Sequence, residues 1–374
     1  MAPPRHLIDD LNPAQRALYE ATVVADVGLR TALGTVVTAA LLPWGISSAA
    51  RTENRRLDFY RELAREGDAE RVFAPPPRVE VTTAPAGRIP LPFGRREARR
   101  LRFSSPYVAI NPAVRRDYSR HARNTIAHAQ HWTHDDGPRP TICVIHGFGA
   151  SPYWLNSAFF ALPWFFGHGY DVLLYTLPFH GLRRSPLAAL NGTELFAYGV
   201  AQLNEALIHA VHDFRVLVDH LERTGVEQIG LTGLSLGGYM TALLAAVEPR
   251  LRFAIPNAAV TDLARLQRDW FPPNVVFQAA SRLRGLPIDE LLAALAVHSP
   301  LTYAPVIDHE RLMIIGGLGD KLAPPEQSEL LWEHWERPRI HWFVGNHVLH
   351  LSRGAYLSEM RRFMKGLGFA PEPT

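Results

Sequence analysis

The sequence has very little cysteine, with one residue, Cys143, in a chain of 374. A lone cysteine excludes a disulfide within the chain, and its place in an apolar run is typical of a small buried side chain. The chain therefore does not need an oxidising compartment. The first ten residues lack an apolar core of the signal-peptide kind and carry Asp9 and Asp10. We therefore expect a cytoplasmic protein.

An excess of charge of one sign is also missing, because the formal net charge is +3 for the whole chain. Such a small excess is not typical of a nucleic-acid-binding protein, and we expect no nucleic-acid partner. One local basic cluster contains Arg95, Arg96, Arg99, Arg100 and Arg102. We interpret it as a solvated strand edge or loop. A patch that docks on anionic lipid or an acidic partner is the alternative.

Residues 31–50 contain no charged side chain, and Arg30 and Arg51 flank them. A helix of this length would span a bilayer. Gly34 and Pro43 argue against a clean span. We therefore expect an arm that packs on the domain or lies on a membrane surface.

The chain divides into two parts at the proline run of residues 75–77. Residues 1–75 have a helical pattern and predict an N-terminal arm, which Pro13 can open at its first turn. Residues 79–370 alternate short apolar runs with helical stretches, as in a mostly parallel sheet covered on both faces. The insertion at about residues 262–303 predicts a helical cap. Apolar strands are predicted at 141–145, 171–175, 228–231, 253–255, 312–315 and 340–344.

The motif Gly233-Leu234-Ser235-Leu236-Gly237 lies between a predicted strand and a predicted helix. This is the context in which Gly-x-Ser-x-Gly exposes a nucleophilic serine on a sharp turn. The glycines let the strand and the helix approach closely. Ser235 is therefore the candidate nucleophile, and a helix-capping serine is the structural alternative.

The segment His146-Gly147-Phe148-Gly149 follows an earlier predicted strand. Acyl transfer needs two fixed N–H donors for the oxyanion. The backbone N–H groups of Phe148 and Leu236 are the candidates. His146 is expected to brace this loop.

A serine nucleophile needs a histidine base and an orienting carboxylate, in the chain order serine, acid, histidine. Asp320 follows the strand predicted at 312–315, and His347 follows the one at 340–344. Asp320 and His347 are the candidate acid and base. Asp262 remains an alternative acid, and His350 an alternative base.

Several other histidines invite a metal interpretation, but their spacing matches no zinc pattern. We expect neither a metal nor an organic cofactor. His209 and His212 lie on a predicted helix, at positions expected to be exposed or half-buried. The histidines that we interpret as surface or packing residues are His121, His128, His131 and His134.

These motifs, in this order, resemble the α/β-hydrolase superfamily over about residues 79–370. Pro178-Phe179-His180-Gly181 is similar to the family's loop after the second strand, where a glycine usually takes the place of Phe179. Phe179 is therefore expected to crowd the mouth of the pocket. The resemblance implies an α/β-hydrolase fold and esterase, lipase, thioesterase or peptidase activity without choosing among them.

We predict a serine hydrolase that cleaves a carboxylic ester or related acyl bond through an acyl-enzyme. The apolar cap segment, with Trp270 and Phe277, and the aromatic residues of 148–165 favour an apolar acyl substrate. An acyltransferase or a peptidase could use the same residues. A hypothesis of another class is a non-catalytic scaffold whose arm, residues 1–75, contacts a membrane or partner. The sequence predicts no oligomeric state.

Overall fold

A nine-stranded sheet forms the centre of the protein in the computed structural model, which describes residues 6–46, 50–86, 98–149, 160–186, 188, 190–351 and 353–371. The strand order is β1-β2-β3-β5-β4-β6-β7-β8-β9. Strands β1, β2, β3 and β5 pair antiparallel, and the pairs from β5 through β4 to β9 are parallel. The predicted mostly parallel α/β-hydrolase sheet is confirmed. The strands are β1 Thr82–Pro85, β2 Arg99–Ser104, β3 Ile126–Trp132, β4 Thr141–Ile145, β5 Asp171–Thr176, β6 Ile229–Leu234, β7 Leu251–Asn257, β8 Met313–Gly317 and β9 Arg339–Phe343.

Every residue of β4, β5 and β6 is buried. Helices cover both faces of the sheet, so these central strands are continuous apolar runs rather than alternating ones. Two buried apolar clusters lie against the sheet. Arg99, Arg100 and Arg102 of the basic cluster are exposed on β2, as a solvated strand requires, whereas Arg95 and Arg96 lie outside the described residues.

The helices of six or more residues are numbered α1 to α10. Helices α6 to α8 lie within the insertion that the sequence predicts as a cap, and we call these three helices and the residues between them the cap. The helices are α1 Pro13–Gly45, α2 Ala50–Glu66, α3 Leu162–Gly167, α4 Val200–Arg223, α5 Leu236–Ala245, α6 Leu263–Asp269, α7 Pro273–Arg284, α8 Ile288–Ala293, α9 Pro325–His334 and α10 Arg353–Gly366. Shorter helical turns occur at His6–Asp9, Ala69–Val72, Arg115–Tyr118, Ala122–Thr125, Gly181–Arg183, Glu194–Ala197, Ala294–His298 and His309–Arg311.

Helix α1 contains most of the uncharged segment and begins at a capping box. The Asn12 side chain accepts from the Gln15 N–H (2.9 Å), and the Gln15 side chain accepts from the Asn12 N–H (3.1 Å). Pro13 occupies the first turn, as predicted. By length and composition α1 could cross a membrane. In the folded chain it lies against the cap, because a Cβ atom on Gly34 would be 2.9 Å from the Phe271 carbonyl oxygen.

A buried polar network lies where α4 meets the segment after β2. We call it the Ser105 network: Ser105, Tyr118, Arg183, His209 and Asp213. Arg183 pairs with Asp213 at 2.8 Å, and His209 is 3% exposed. The expectation of an exposed or half-buried His209 is therefore wrong. The α4 face that carries it packs inward, and hydrogen bonds compensate for the burial.

The chain order reverses at β4, since β5 lies on one side of it and β6 on the other. Ligand sites of open α/β sheets occur at such a switch point, beyond the carboxyl ends of the strands. The segments that leave β4 and β6 here contain Phe148 and Ser235.

Candidate active site

Ser235 lies between β6 and α5 with φ 59° and ψ −116°. A positive φ is strained for a residue with a Cβ atom, and such strain is often concentrated at functional sites. The Ser235 N–H donates to the Asn257 carbonyl oxygen at 3.0 Å. A Cβ atom on Gly237 would lie 2.0 Å from the Ile145 carbonyl oxygen. The turn is therefore sterically dependent on glycine at position 237.

Asp320 lies on the segment after β8, and its side chain is fully buried. Its Oδ1 accepts the N–H groups of Leu322 (2.9 Å) and Ala323 (2.7 Å). Its Oδ2 is 2.6 Å from Nδ1 of His347, which follows β9. The carboxylate accepts the Nδ1 proton, so this contact selects the tautomer whose Nε2 is free to act as a base.

Two opposing effects act on the imidazole of His347. Burial alone lowers its pKa, because a buried charge is poorly solvated. The adjacent Asp320 carboxylate raises that pKa, Asp26 adds to the rise, and the pKa lies above the ordinary histidine value. An imidazolium that forms during a reaction would thus be stabilised by Asp320.

Ser235 and His347 line the same pocket. Among the hydrogen bonds between described residues, none joins the Ser235 hydroxyl to His347. Such bonds are often long in enzymes without substrate and tighten when substrate binds.

The alternative acid and base lie in other environments. The side chain of Asp262 caps α6 by accepting the Arg265 N–H at 2.9 Å. The His350 ring packs against Phe343 in a tilted arrangement, with ring centroids 4.0 Å apart, and burial lowers the pKa of His350 to about 3. The geometry therefore brings Asp320 to His347 and gives Asp262 and His350 structural contacts.

The two candidate oxyanion donors flank the serine. Leu236 is the first residue of α5, so its N–H has no acceptor within the helix. Phe148 lines the pocket, and a Cβ atom on the preceding Gly147 would lie 3.4 Å from the Ser235 Cβ. Both backbone segments thus border the space in front of Ser235.

His146 holds the loop that carries Phe148. Its Nδ1 is 2.9 Å from the Gly147 carbonyl oxygen, and its Nε2 accepts the Leu177 N–H at 3.1 Å. Burial lowers the pKa of His146 to about 4, so the ring is neutral near pH 7. This is the bracing role expected from the sequence.

The pocket in front of Ser235 has a volume of about 350 Å³. It is almost wholly apolar, and His347 is the one titratable side chain among the described lining residues. The lining residues are Leu29, Leu33, Gly147, Phe148, Gly149, Phe160, Phe196, Leu234, Ser235, Leu236, Val260, Leu263, Leu266, Trp270, Leu322, His347 and Val348.

Some, but not all, of the aromatic residues that we expected from the cap and from residues 148–165 line the pocket. Trp270 lines the pocket from the end of α6, whereas Phe271 is 63% exposed. Phe160 lines the pocket too. The residues of the aromatic segment that lie outside the described ranges are Tyr153, Trp154 and Phe159.

Phe179 does not crowd the pocket mouth, so that expectation is wrong. Its side chain is 2% exposed and packs on the rings of Tyr118 and His121. With φ 63°, the backbone turns the ring away from the pocket and into the core.

Sequence reasoning missed the contribution of α1. Leu29 and Leu33 line the pocket, and Asp26 is fully buried beside the Asp320 segment. A signal was present, because Asp26 and Arg30 are the two charged residues between Glu20 and Arg51. A lone acid in an otherwise apolar stretch of a helix indicates a specific partner.

Two family models match parts of the chain. The model described as "Alpha/beta hydrolase domain containing 18" matches residues 95–264, which include Phe148 and Ser235. The prolyl oligopeptidase family model matches residues 208–339, which include Ser235 and Asp320.

Similar proteins include two from Mycobacterium tuberculosis, uncharacterized protein MT2702 of strain CDC 1551 / Oshkosh and uncharacterized protein Rv2627c of strain ATCC 25618 / H37Rv. Each is 33% identical over 226 residues, which make up 56% of this chain and 50% of the relative. The chain thus spans about half the length of the curated relatives it matches.

Similar solved structures include two acetyl xylan esterases. The one from Paenibacillus sp. R4 has a TM-score of 0.54 at 14% identity and covers 84% of this chain and 93% of its own. The one from Thermoanaerobacterium sp. JW/SL YS485 has a TM-score of 0.53 at 15% identity and covers 83% and 93%. At this identity the likeness concerns the fold.

The sheet order and the serine at its switch point define an α/β fold of the hydrolase class. The chain belongs to the α/β-hydrolase superfamily. This membership leaves the scissile bond open.

Proposed function

We propose that the protein is a serine hydrolase that cleaves a carboxylic ester, or a related acyl bond, through an acyl-enzyme. The observation that carries the proposal is the Asp320–His347 pair, 2.6 Å apart, whose histidine lines the same pocket as the strained Ser235. A buried carboxylate, a histidine and an accessible serine at one sheet edge match the requirements of nucleophilic acyl transfer.

In this mechanism His347 takes the proton of Ser235 as the serine oxygen attacks the acyl carbon. The N–H groups of Phe148 and Leu236 stabilise the oxyanion of the tetrahedral intermediate. His347 then gives its proton to the departing alcohol, and Asp320 stabilises the imidazolium in between. Water, activated by His347, attacks the acyl-enzyme and releases the acid and the free serine.

The apolar lining of the pocket favours a substrate with an uncharged, apolar acyl group. Leu263, Leu266 and Trp270 of the cap and Phe148 and Phe196 of the core are among its lining residues. No Lys, Arg, Asp or Glu belongs to the described lining, so a charged acyl chain would lose its hydration without a partner.

Labelling with a fluorophosphonate tests the nucleophile, because the probe phosphorylates activated serines. Wild type should be labelled, Ser235→Ala should not, and Ser119→Ala, at an exposed position away from the pocket, should label like wild type. Absence of labelling in folded wild type would favour a non-catalytic scaffold.

A peptidase is the second candidate, because the prolyl oligopeptidase family model covers Ser235 and Asp320. Matched nitrophenyl ester and nitroanilide substrates with the same acyl group separate the two. Ester turnover without anilide turnover would support the esterase, whereas comparable rates would support the peptidase. Transfer of the acyl group to an added alcohol in place of water would reveal an acyltransferase.

We also propose that the outer face of α1 rests on a membrane surface. Apolar side chains are exposed on it, with Val24 at 72% and Leu42 at 47%, and Ile46, which directly follows the helix, is 62% exposed. The inner face is occupied by the pocket and the cap, so α1 would lie in the interface rather than cross it. Cosedimentation with phosphatidylcholine vesicles should fall in Val24→Glu/Leu42→Glu and remain in Val306→Glu. Equal sedimentation of all three would contradict the proposal.

A further inference from the structure

We propose that α1 is a working part of the active site, in which Asp26 positions the loops of the acid and the base while Leu29 and Leu33 set the length of the acyl chain. This inference rests on the proposed hydrolase function and extends it, because it assigns roles to an N-terminal helix that precedes the hydrolase core.

One face of α1 turns toward the site. Thr22, Asp26 and Gly34 are buried, Leu29 and Leu33 line the pocket, and the next buried positions are Val37, Leu41 and Trp44. These positions recur every three or four residues, as expected for one helix face. The Trp44 ring packs against Phe277 of the cap, with centroids 5.8 Å apart. The helix is therefore anchored along its length.

Consecutive turns of this face bind the two loops of the candidate site. The Asp26 Oδ2 accepts the N–H of Lys321, the residue after Asp320, at 2.5 Å. The Thr22 carbonyl oxygen accepts from Nδ2 of Asn346, the residue before His347, at 2.6 Å. Positions 22 and 26 are neighbours on a helix surface, so one patch of α1 holds both loops.

Asn346 passes this restraint on to the histidine loop. Its Oδ1 accepts the N–H groups of Val348 (3.0 Å) and Leu349 (2.6 Å) while its Nδ2 donates to α1. The side chain therefore fixes the turn in which His347 lies.

A purely structural role explains Asp26 poorly. Its side chain is 0% exposed, and its buried Oδ1 has no hydrogen-bond partner among the residues that the structure describes. Burial raises its pKa, and the nearby Asp320 raises it further, whereas the Lys321 N–H and His347 lower it. An apolar side chain would fill the same space without the desolvation cost of an unsatisfied oxygen. The contact with Lys321 is what the carboxylate adds.

Leu29 and Leu33 lie about one and two turns beyond Asp26 on the same face of α1, and both line the pocket. Residues of the core and the cap form the rest of the lining. A larger side chain at position 33 would fill part of the 350 Å³, and a smaller one would extend it.

The test of the length-setting role uses nitrophenyl esters from acetyl to dodecanoyl. Leu33→Trp should move the preferred chain to shorter esters and Leu33→Ala to longer ones, while the exposed Val24→Ala keeps the wild-type preference. Fluorophosphonate labelling is run in parallel on each variant. Unlabelled wild type would overturn the proposed function and this inference together. Normal labelling with an unchanged chain-length preference would overturn the role of Leu33 alone.

The test of Asp26 compares Asp26→Asn with Asp26→Leu. Asparagine keeps an oxygen for the Lys321 N–H, so its kcat should stay within about threefold of wild type, whereas leucine should lower kcat by about tenfold or more through misplacement of Asp320. KM for the acetyl ester should change little in both. Thermal melting identifies variants that fail to fold. If Asp26→Leu fails to fold, the kcat of Asp26→Asn decides the test. A folded Asp26→Leu with wild-type kcat, or an Asp26→Asn as impaired as leucine, would overturn the positioning role.

Discussion

The molecule contains two constellations of serine, histidine and aspartate, and they differ in almost everything except residue type. In the Ser105 network the Ser105 hydroxyl donates to Asp213 at 2.5 Å and lies 2.8 Å from His209 Nε2. At the candidate site the carboxylate of Asp320 binds Nδ1 of His347, which leaves Nε2 of that ring free. Ser235 lines an open pocket.

The geometry of the Ser105 network holds its groups in place. Asp213 lies between Arg183 (2.8 Å) and His209 (3.0 Å), and His209 Nδ1 contacts the Tyr118 hydroxyl at 2.9 Å. Burial opposes the charge on Asp213, yet His209 and Arg183 lower its pKa to about 2. Ser105 hydrogen-bonds to the acid itself and does not line the pocket in front of Ser235. Proximity alone therefore does not make a nucleophile; access, a strained turn and oxyanion donors are also required.

The most direct test of this difference is to replace each of the two serines with alanine. Ser235→Ala should lower kcat of ester hydrolysis by about 10⁶-fold, as expected when a nucleophile is lost. Ser105→Ala should leave kcat near wild type and lower Tm, because it removes hydrogen bonds from a buried network. Steady-state kinetics and thermal melting check both. A strong loss of kcat in folded Ser105→Ala would contradict the assignment.

Replacement of the two aspartates should have different effects: one substitution should lower kcat, and the other should lower the stability of the fold. Asp320→Asn should lower kcat by about 10⁴-fold, because the amide would favour the wrong tautomer of His347. Asp213→Asn should instead destabilise the fold by about 3–5 kcal/mol, because Arg183 loses its buried partner. Denaturant unfolding and kinetics on the same samples measure both effects.

Asp262→Asn is the control for the acid, since Asp262 caps α6. Its kcat should stay within about threefold of wild type, and its stability should fall by about 1 kcal/mol at most. Loss of activity in Asp262→Asn with retention in Asp320→Asn would transfer the role of acid to Asp262.

The histidines should respond to pH with opposite signs. Since Asp320 and Asp26 raise the pKa of His347, kcat/KM should fall about tenfold per pH unit below a midpoint above the usual histidine value of about 6.5. The stability that protonated His347 gains from its partners is lost as pH rises through that pKa. A pH–rate profile with a midpoint well below 6.5 would contradict this base.

Burial lowers the pKa of His209, so the folded chain binds fewer protons there than the unfolded chain. Its contribution to stability is present above the ordinary histidine pKa and is lost as pH falls below it. Tm measured against pH in wild type and His209→Gln should show that the dependence below about pH 6.5 weakens in the variant.

The smallest predicted effect concerns the substrate. Each methylene added to a nitrophenyl ester should raise kcat/KM by up to about fourfold until the pocket is full, which corresponds to about 0.8 kcal/mol per buried CH₂. A matched series of dicarboxylic monoesters, which end in a carboxylate, should not show this gain. Equal rates along both series would contradict an apolar pocket.

Much of the fold could be predicted from local pattern. Buried parallel strands are continuous apolar runs, and the predicted runs at 141–145 and 171–175 coincide with β4 and β5 to within one residue. The elbow around Ser235 was recognisable because its glycines are sterically required. The choice of Asp320 and His347 over Asp262 and His350 could be argued from placement after strands, but the sequence left both alternatives open.

The amino-acid sequence by itself determined the alternation of strands and helices, the glycine turn at Ser235 and the apolar character of α1, because each depends on neighbours within a few residues. Only the tertiary structure decided that Asp26, Leu29 and Leu33 border the candidate site, that Phe179 turns into the core and that His209 is buried. These facts depend on contacts between residues far apart in the chain. No local periodicity encodes which helix face meets which loop.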